Sequence, residues 1–80
     1  MKALRGWWDA IGVEVLAFGG GQWRVRDLRL PRGDARCLLG FIEGSAGGFE
    51  IVRLSVPHRR NSLVADLDAA VQLVCADRDR

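Results

Sequence analysis

The sequence predicts an α+β fold for one small domain, residues 1–80, with a short N-terminal helix, a four-stranded antiparallel meander and a C-terminal helix packed on one sheet face. Four segments separated by glycine- or proline-containing turns have strand-like patterns, and apolar and polar residues alternate in the first two of them. Near the C-terminal end, apolar residues instead recur at helical spacing. The predicted strands span about 13–18, 22–30, 35–43 and 48–56, and the predicted C-terminal helix spans about 63–76.

The first predicted element is a short helix from Ala3 to Ile11. Leucine, tryptophan and isoleucine recur there at helical spacing, and Gly12 follows where a glycine commonly ends a helix. Continuing the helix would place Gly12 in its interior, which is unfavourable. The residues Val13-Glu14-Val15 are alternating and β-branched, so a strand is predicted to begin at Val13.

Three consecutive glycines, Gly19 to Gly21, separate the first two predicted strands. Glycine supplies the positive φ that tight hairpin loops need, so this segment predicts a hairpin. A phosphate-binding loop is the other interpretation of a glycine run. Neither G-x-x-x-x-G-K-[ST] nor G-x-G-x-x-G is present, and a strand rather than a helix follows, which argues against a phosphate site.

The apolar positions of the second predicted strand change from odd to even numbers after Val25. One extra residue at Arg26-Asp27 would restore a single apolar face, so a β-bulge is predicted there. With this bulge, the opposite face of the strand carries a short cationic row made of Arg24, one residue of the bulge, and Arg29.

The third predicted strand, 35–43, is apolar on both of its alternating faces. Such a strand is usually central and covered on both sides, or is covered by another copy. The start of the C-terminal helix is ambiguous, because Ser62 and Asp66 are both good N-cap residues. We favour Asp66, which leaves Asn61 to Ala65 as an extended approach.

The composition predicts a folded cytoplasmic protein. Hydrophobic residues make up 49% of the chain, but no apolar run approaches the roughly 18 residues that span a bilayer, and the first residues lack the apolar core of a secretory signal. Cys37 and Cys75 are far apart and lie within apolar patterns, which is typical of buried thiols in a reducing compartment.

Few residues suggest catalysis, and the sequence predicts a protein that is not an enzyme and has no cofactor. His58 is the only histidine, and it lies in an arginine-rich loop without a matched acid or nucleophile. The serines are not in a nucleophile-elbow pattern, and the cysteines lack metal-ligand spacing, so no metal site is expected.

Protein association is the predicted function, as a non-enzymatic binding or accessory module that forms a homodimer or binds a partner protein. Three tryptophans are many for so small a core, and the adjacent Trp7 and Trp8 would point about 100° apart on a helix. Trp7, Trp8 and Trp23 are therefore the candidate partner-binding residues. The alternative is that a tryptophan lies flat along the sheet edge within one chain.

Nucleic-acid binding is the alternative function. Arginines on a strand and in the following loop could contact successive phosphates while Trp23 or Phe49 stacks on a base. The candidate residues are Arg24, Arg26, Arg29, Arg53, Arg59 and Arg60. Pairing of these arginines with Asp27, Glu43 and Glu50 on a solvated face is the favoured explanation, and the acidic Asp66 and Asp68 would repel phosphate.

Overall fold

The computed structural model describes residues 2–54 and 62–76, and within them it contains a six-stranded antiparallel sheet whose strands lie side by side in chain order. The strands are β1 Lys2–Leu4, β2 Val13–Gly19, β3 Gln22–Asp27, β4 Leu38–Ser45, β5 Gly48–Arg53 and β6 Ser62–Val64. One α-helix, α1, covers Leu67–Cys75, and two 3₁₀ helices cover Trp7–Ile11 and Ala35–Cys37.

The predicted four-stranded meander with a short N-terminal helix is wrong. Residues Lys2–Leu4 form strand β1 and pair with β2, and only Trp7–Ile11 turns, as a 3₁₀ helix that ends at Gly12 with a φ of 75°. Pairing with β1 satisfies the backbone groups along the edge of β2, which a helix could not do. Long-range strand pairing therefore overrides the local helical spacing of these residues.

The predicted bulge at Arg26-Asp27 is also wrong. Strand β3 pairs with β2 without interruption from Ala17 opposite Trp23 to Val13 opposite Asp27. The register shift lies between β3 and β4 instead. Val25 is opposite Gly40 and Arg26 is opposite Leu38, so Leu39 is an extra residue in β4.

The predicted strand 22–30 ends at Asp27 because the chain turns there. The Asp27 carboxylate accepts a hydrogen bond from the backbone N–H of Arg29 at 3.0 Å, and the backbone N–H of Leu28 donates to the Gly12 carbonyl at 2.7 Å. A carboxylate that binds the backbone two residues onward is typical of a turn. The strand predicted over 35–43 begins only at Leu38, because Ala35–Cys37 forms the second 3₁₀ helix.

At the C-terminal end, α1 is shorter than the predicted helix 63–76. Asp66 caps it, and its Oδ1 accepts a hydrogen bond from the backbone N–H of Ala69 at 2.8 Å, which confirms the favoured start. The predicted extended approach contains β6, which pairs with β5. Strand β5 ends at Arg53, and residues 55 and 56 of the predicted strand 48–56 lie outside the described residues.

The core lies between one face of the sheet and α1. Strands β2 to β5 direct valine, leucine and isoleucine side chains towards the helix, which contributes Ala70, Val71 and Val74, and Trp8 of the first 3₁₀ helix completes the cluster. The buried residues from the strands are Val13, Val15, Val25, Leu39, Ile42 and Ile51. The six-stranded sheet thus buries one of its two faces under α1 and the first 3₁₀ helix.

Asp34 begins the second 3₁₀ helix and gives a testable pH dependence. Its Oδ1 accepts hydrogen bonds from the backbone N–H of Arg36 at 2.9 Å and from Nε at 3.0 Å, and Oδ2 accepts one from Nη2 at 2.6 Å. The side-chain and backbone hydrogen bonds from Arg36 favour the carboxylate and lower the pKa of Asp34 from 3.8 to about 2.

An NMR titration of the carboxyl carbons is expected to give Asp34 a midpoint near a pKa of about 2. Because the folded-state pKa is lowered, the stabilisation is fully present above pH 3.8 and is lost as the pH falls towards 2. Arg36→Ala removes the side-chain hydrogen bonds and should raise the Asp34 pKa, whereas Arg32→Ala in the same loop should not. An unchanged midpoint in Arg36→Ala would contradict this assignment.

Candidate functional site

The candidate functional site is the sheet face opposite α1, called here the open face. Side chains alternate along each strand, so the residues next to the buried positions of β2 to β5 point away from the core. Among the described residues, no helix packs over the middle of this face, and Phe18, Phe41 and Leu63 are 39%, 38% and 58% exposed. Its central members are Leu16, Phe18, Gln22, Arg24, Phe41, Glu43, Glu50, Val52 and Leu63.

Arg24 lies at the centre of the open face. It is opposite Leu16 of β2 on one side and opposite Phe41 of β4 on the other. Its guanidinium carbon is 4.6 Å from the centroid of the Phe18 ring and 5.7 Å from that of Phe41, which are cation–π distances. Its Nε atom is buried without a hydrogen-bond partner, and no ion pair of the described residues includes Arg24.

A shallow hollow of about 340 Å³ lies on this face, with Arg24, Phe18, Phe41 and Val52 among its lining residues. Two carboxylates, those of Glu43 and Glu50, lie on one side of it and are directly opposite each other on β4 and β5. Like charges in opposite positions of a ladder repel each other. The open face therefore presents a cation and an acidic pair on a largely apolar surface.

Gln22 is the hydrogen-bonding neighbour of Glu43. Its Nε2 donates to Glu43 Oε2 at 3.4 Å, and the two residues are opposite each other on β3 and β4. Arg24 and Phe41 form the next outward pair along the same two strands. Arg24 and Glu43 are thus diagonal neighbours, but the Arg24 guanidinium is held by the phenylalanine rings and does not form an ion pair with Glu43.

The structure brings only part of the predicted cationic row together. Arg24 and Arg26 share the open face, but Arg26 is largely buried and forms an ion pair with Glu14, to which its Nε donates at 2.9 Å. Arg29 lies beyond the end of β3, where its Nε and Nη2 each donate to the Asp27 carboxylate at 3.1 Å.

The other candidate arginines lie elsewhere. Arg53 is opposite Gly40, in the register that faces the core side of the sheet. Arg59 and Arg60 lie outside the described residues. The described arginines therefore do not line up along one exposed strand face.

The three candidate tryptophans belong to the helix side of the sheet. Trp8 is 4% exposed and its Nε1 donates to the Leu4 carbonyl at 3.1 Å, which leaves little of its ring for a partner. Trp7 is 41% exposed, packs edge-on against Trp8 and donates its Nε1 to Asp68 at 3.3 Å. Trp23 is half-buried, and its ring centroid is 5.5 Å from that of Phe49.

Sequence reasoning missed the phenylalanines of the open face. Phe18 and Phe41 occupy outward positions of strands that were predicted nearly correctly, so the signal was present in the alternation. The prediction that strand 35–43 is apolar on both faces came closest to identifying the open face. It could not show that no described helix packs on the second face, because that depends on where α1 packs.

Other functional groups of the described residues are few. Cys37 is a free, buried thiol, and no three His, Cys, Asp or Glu side chains of residues 2–54 and 62–76 come together as metal ligands. His58 lies outside these ranges. None of the helices in the described part of the chain has the length and apolar character needed to cross a membrane.

Comparisons with protein-family models, curated proteins and solved structures found no significant match to this chain.

Proposed function

We propose that this protein is a non-enzymatic binding or accessory module that associates with a protein through its open face. The supporting observation is the exposure of phenylalanine and leucine on the sheet face that α1 does not cover. Contiguous apolar surface on a small domain commonly marks an interaction site. The hollow beside Arg24 adds a recess into which a partner side chain could fit.

The charges of the open face favour a protein over a nucleic acid. Binding to nucleic acid needs several cations that contact successive phosphates. Arg26, Arg29 and Arg36 are each paired with a carboxylate of this chain, and Glu43 and Glu50 lie near Arg24, where they would repel phosphate. Nucleic-acid binding through Arg24 and its neighbours therefore stays the less favoured alternative.

The cytoplasm is the proposed compartment for this module. The supporting observation is Cys37, which is a buried free thiol. A buried thiol of this kind is usual in a reducing compartment.

Photo-crosslinking in cells that make the protein tests the proposed function. A benzophenone-bearing phenylalanine analogue placed at Phe41 should crosslink to protein, because this side chain lies in the middle of the open face. The same analogue at Leu28, which is 52% exposed and lies off the sheet, is the matched control and should give little adduct. Adducts are separated by mass before and after nuclease treatment.

Three results would be informative. A protein adduct that depends on the Phe41 position supports the proposal. Adducts that nuclease removes would favour the nucleic-acid alternative and contradict protein association. Equal adducts from the Phe41 and Leu28 positions, or none from either, would also contradict a role for the open face.

A further inference from the structure

We infer that the open face binds a second copy of this chain, in a two-fold symmetric dimer in which Arg24 of each copy pairs with Glu43 of the other. This inference rests on the proposed function and names the partner. It follows from the charges of the open face, their spacing and the area of the sheet.

Arg24 and Glu43 of the open face are complementary in charge to the same two residues of a second copy. Among residues 2–54 and 62–76, Arg24 forms no ion pair, and the side-chain partner of Glu43 is Gln22, through a long hydrogen bond. A single copy leaves both charges at an apolar surface, where an unpaired charge is costly once water is removed. A partner covering this face must therefore supply a carboxylate for Arg24 and a cation for Glu43, and a second copy carries both.

The register places these two charges where a two-fold axis can exchange them. Diagonal neighbours on adjacent strands are about 7–8 Å apart. An axis that lies in the interface, midway between Arg24 and Glu43 and perpendicular to the line joining them, brings each arginine over the glutamate of the other copy. Two-fold symmetry repeats this contact, so Arg24 and Glu43 of each copy both gain an ion-pair partner.

Apolar side chains surround the two contacts. Phe18 and Phe41 hold the Arg24 guanidinium from within the same copy, which fixes its position before association. Leu16 and Val52 are the half-buried residues that flank the row of Arg24 and Phe41 on β2 and β5. An apolar rim that excludes water strengthens a central ion pair, as it does in other protein interfaces.

The area of the open face suits a weak dimer. Six strands spaced about 4.8 Å apart give a sheet about 24 Å wide, and strands of this length are about 20 Å long. The face therefore offers roughly 500 Å² per copy, or about 1,000 Å² in total, which is near the lower limit for specific interfaces. The expected dimer dissociates in the micromolar range and depends on protein concentration.

Sedimentation equilibrium of the full chain tests this inference. The average mass should rise from 8.8 kDa towards twice that value as the concentration increases. Arg24→Glu and Glu43→Arg should each weaken self-association by at least about tenfold, because each homodimer would then place like charges together twice. An equimolar mixture of the two variants should associate again, since each contact of the mixed dimer joins a glutamate to an arginine.

Controls separate this pairing from a general effect of charge or folding. Arg32→Glu, in an exposed loop, should leave self-association unchanged. Thermal unfolding followed by circular dichroism establishes that the variants are folded. If a charge reversal unfolds the chain, the neutral variants Arg24→Gln and Glu43→Gln replace it and should each weaken the dimer, and wild-type affinity in both would overturn the pairing.

Two outcomes would overturn the inference in different ways. A dimer whose two variants do not associate with each other overturns the pairing of Arg24 with Glu43. A chain that stays monomeric up to roughly millimolar concentration overturns self-association altogether. In that second case the Phe41 crosslink still tests the proposed function, because an adduct with a different protein would support a binding module.

Discussion

Replacing Trp8 with alanine is expected to lower the free energy of unfolding by about 3–5 kcal/mol, which is a large fraction of the stability of a small domain. The indole is 4% exposed and belongs to the core cluster under the sheet. Its Nε1 donates to the Leu4 carbonyl, so it also connects the first 3₁₀ helix with β1. A β-carbon at Gly6 would lie 2.6 Å from the indole, which shows how closely the ring is packed.

Trp7→Ala is the matched control for this experiment. The two tryptophans are adjacent in sequence, but Trp7 is 41% exposed and its hydrogen bond to Asp68 is at the surface, so its loss should cost about 1 kcal/mol or less. Urea unfolding followed by circular dichroism gives both free energies. Equal losses for Trp7→Ala and Trp8→Ala would contradict the different burial of the two rings.

The hairpin between β2 and β3 shows what local sequence could predict. Alternating apolar residues predicted β2 to within one residue and the start of β3, because one side chain in two must face the core, although β3 ends three residues before the predicted end. The three glycines predicted the turn, and all three have positive φ, with Gly19 at 86°, Gly20 at 62° and Gly21 at 75°. Both signals lie within a few residues of the structure that they determine.

The two edge strands could not be predicted in this way. Each has three residues, too few for alternation to be recognised, and each exists because a neighbouring strand needs a partner. Leu4 is opposite Val15, and Val64 is opposite Phe49. These pairings join residues 11 and 15 positions apart, beyond the reach of a local pattern. In the N-terminal segment the helical spacing around Trp7 was the stronger local signal, and it led to the wrong prediction of a helix.

The candidate site depends on long-range packing still more. Whether Phe41 is buried is decided by the side of the sheet on which α1 packs, and the residues of α1 lie about 30 positions further along the chain. Arg24, Arg26 and Arg53 were recognised correctly as strand residues, whereas Arg29 lies beyond the end of β3. The partners of the strand arginines follow from register. Arg26 is opposite Glu14, whereas Arg24 is opposite Leu16 and therefore lacks an acidic cross-strand neighbour.

Gly40→Ala is the second variant with a large expected effect. Gly40 lies in β4 opposite Arg53 and points towards α1. A β-carbon there would overlap the carbonyl oxygen of Val52 and would lie 3.3 Å from Cγ1 of Val74. We expect a loss of about 3 kcal/mol, at the upper end of overpacking effects, because a backbone carbonyl cannot rotate away as a side chain can.

Gly33→Ala is the control for Gly40→Ala. A β-carbon at Gly33 would meet nothing within 4 Å, so this substitution should leave stability unchanged or raise it slightly by restricting the unfolded chain. For a domain of this size, 1 kcal/mol changes the melting temperature by about 4–8 °C, so the two variants should differ by at least about 10 °C. Equal melting temperatures would mean that β4 and β5 can move apart at Gly40 without a loss of folding stability. In that case Val52, which belongs to both this ladder and the open face, would not be held in place by the core.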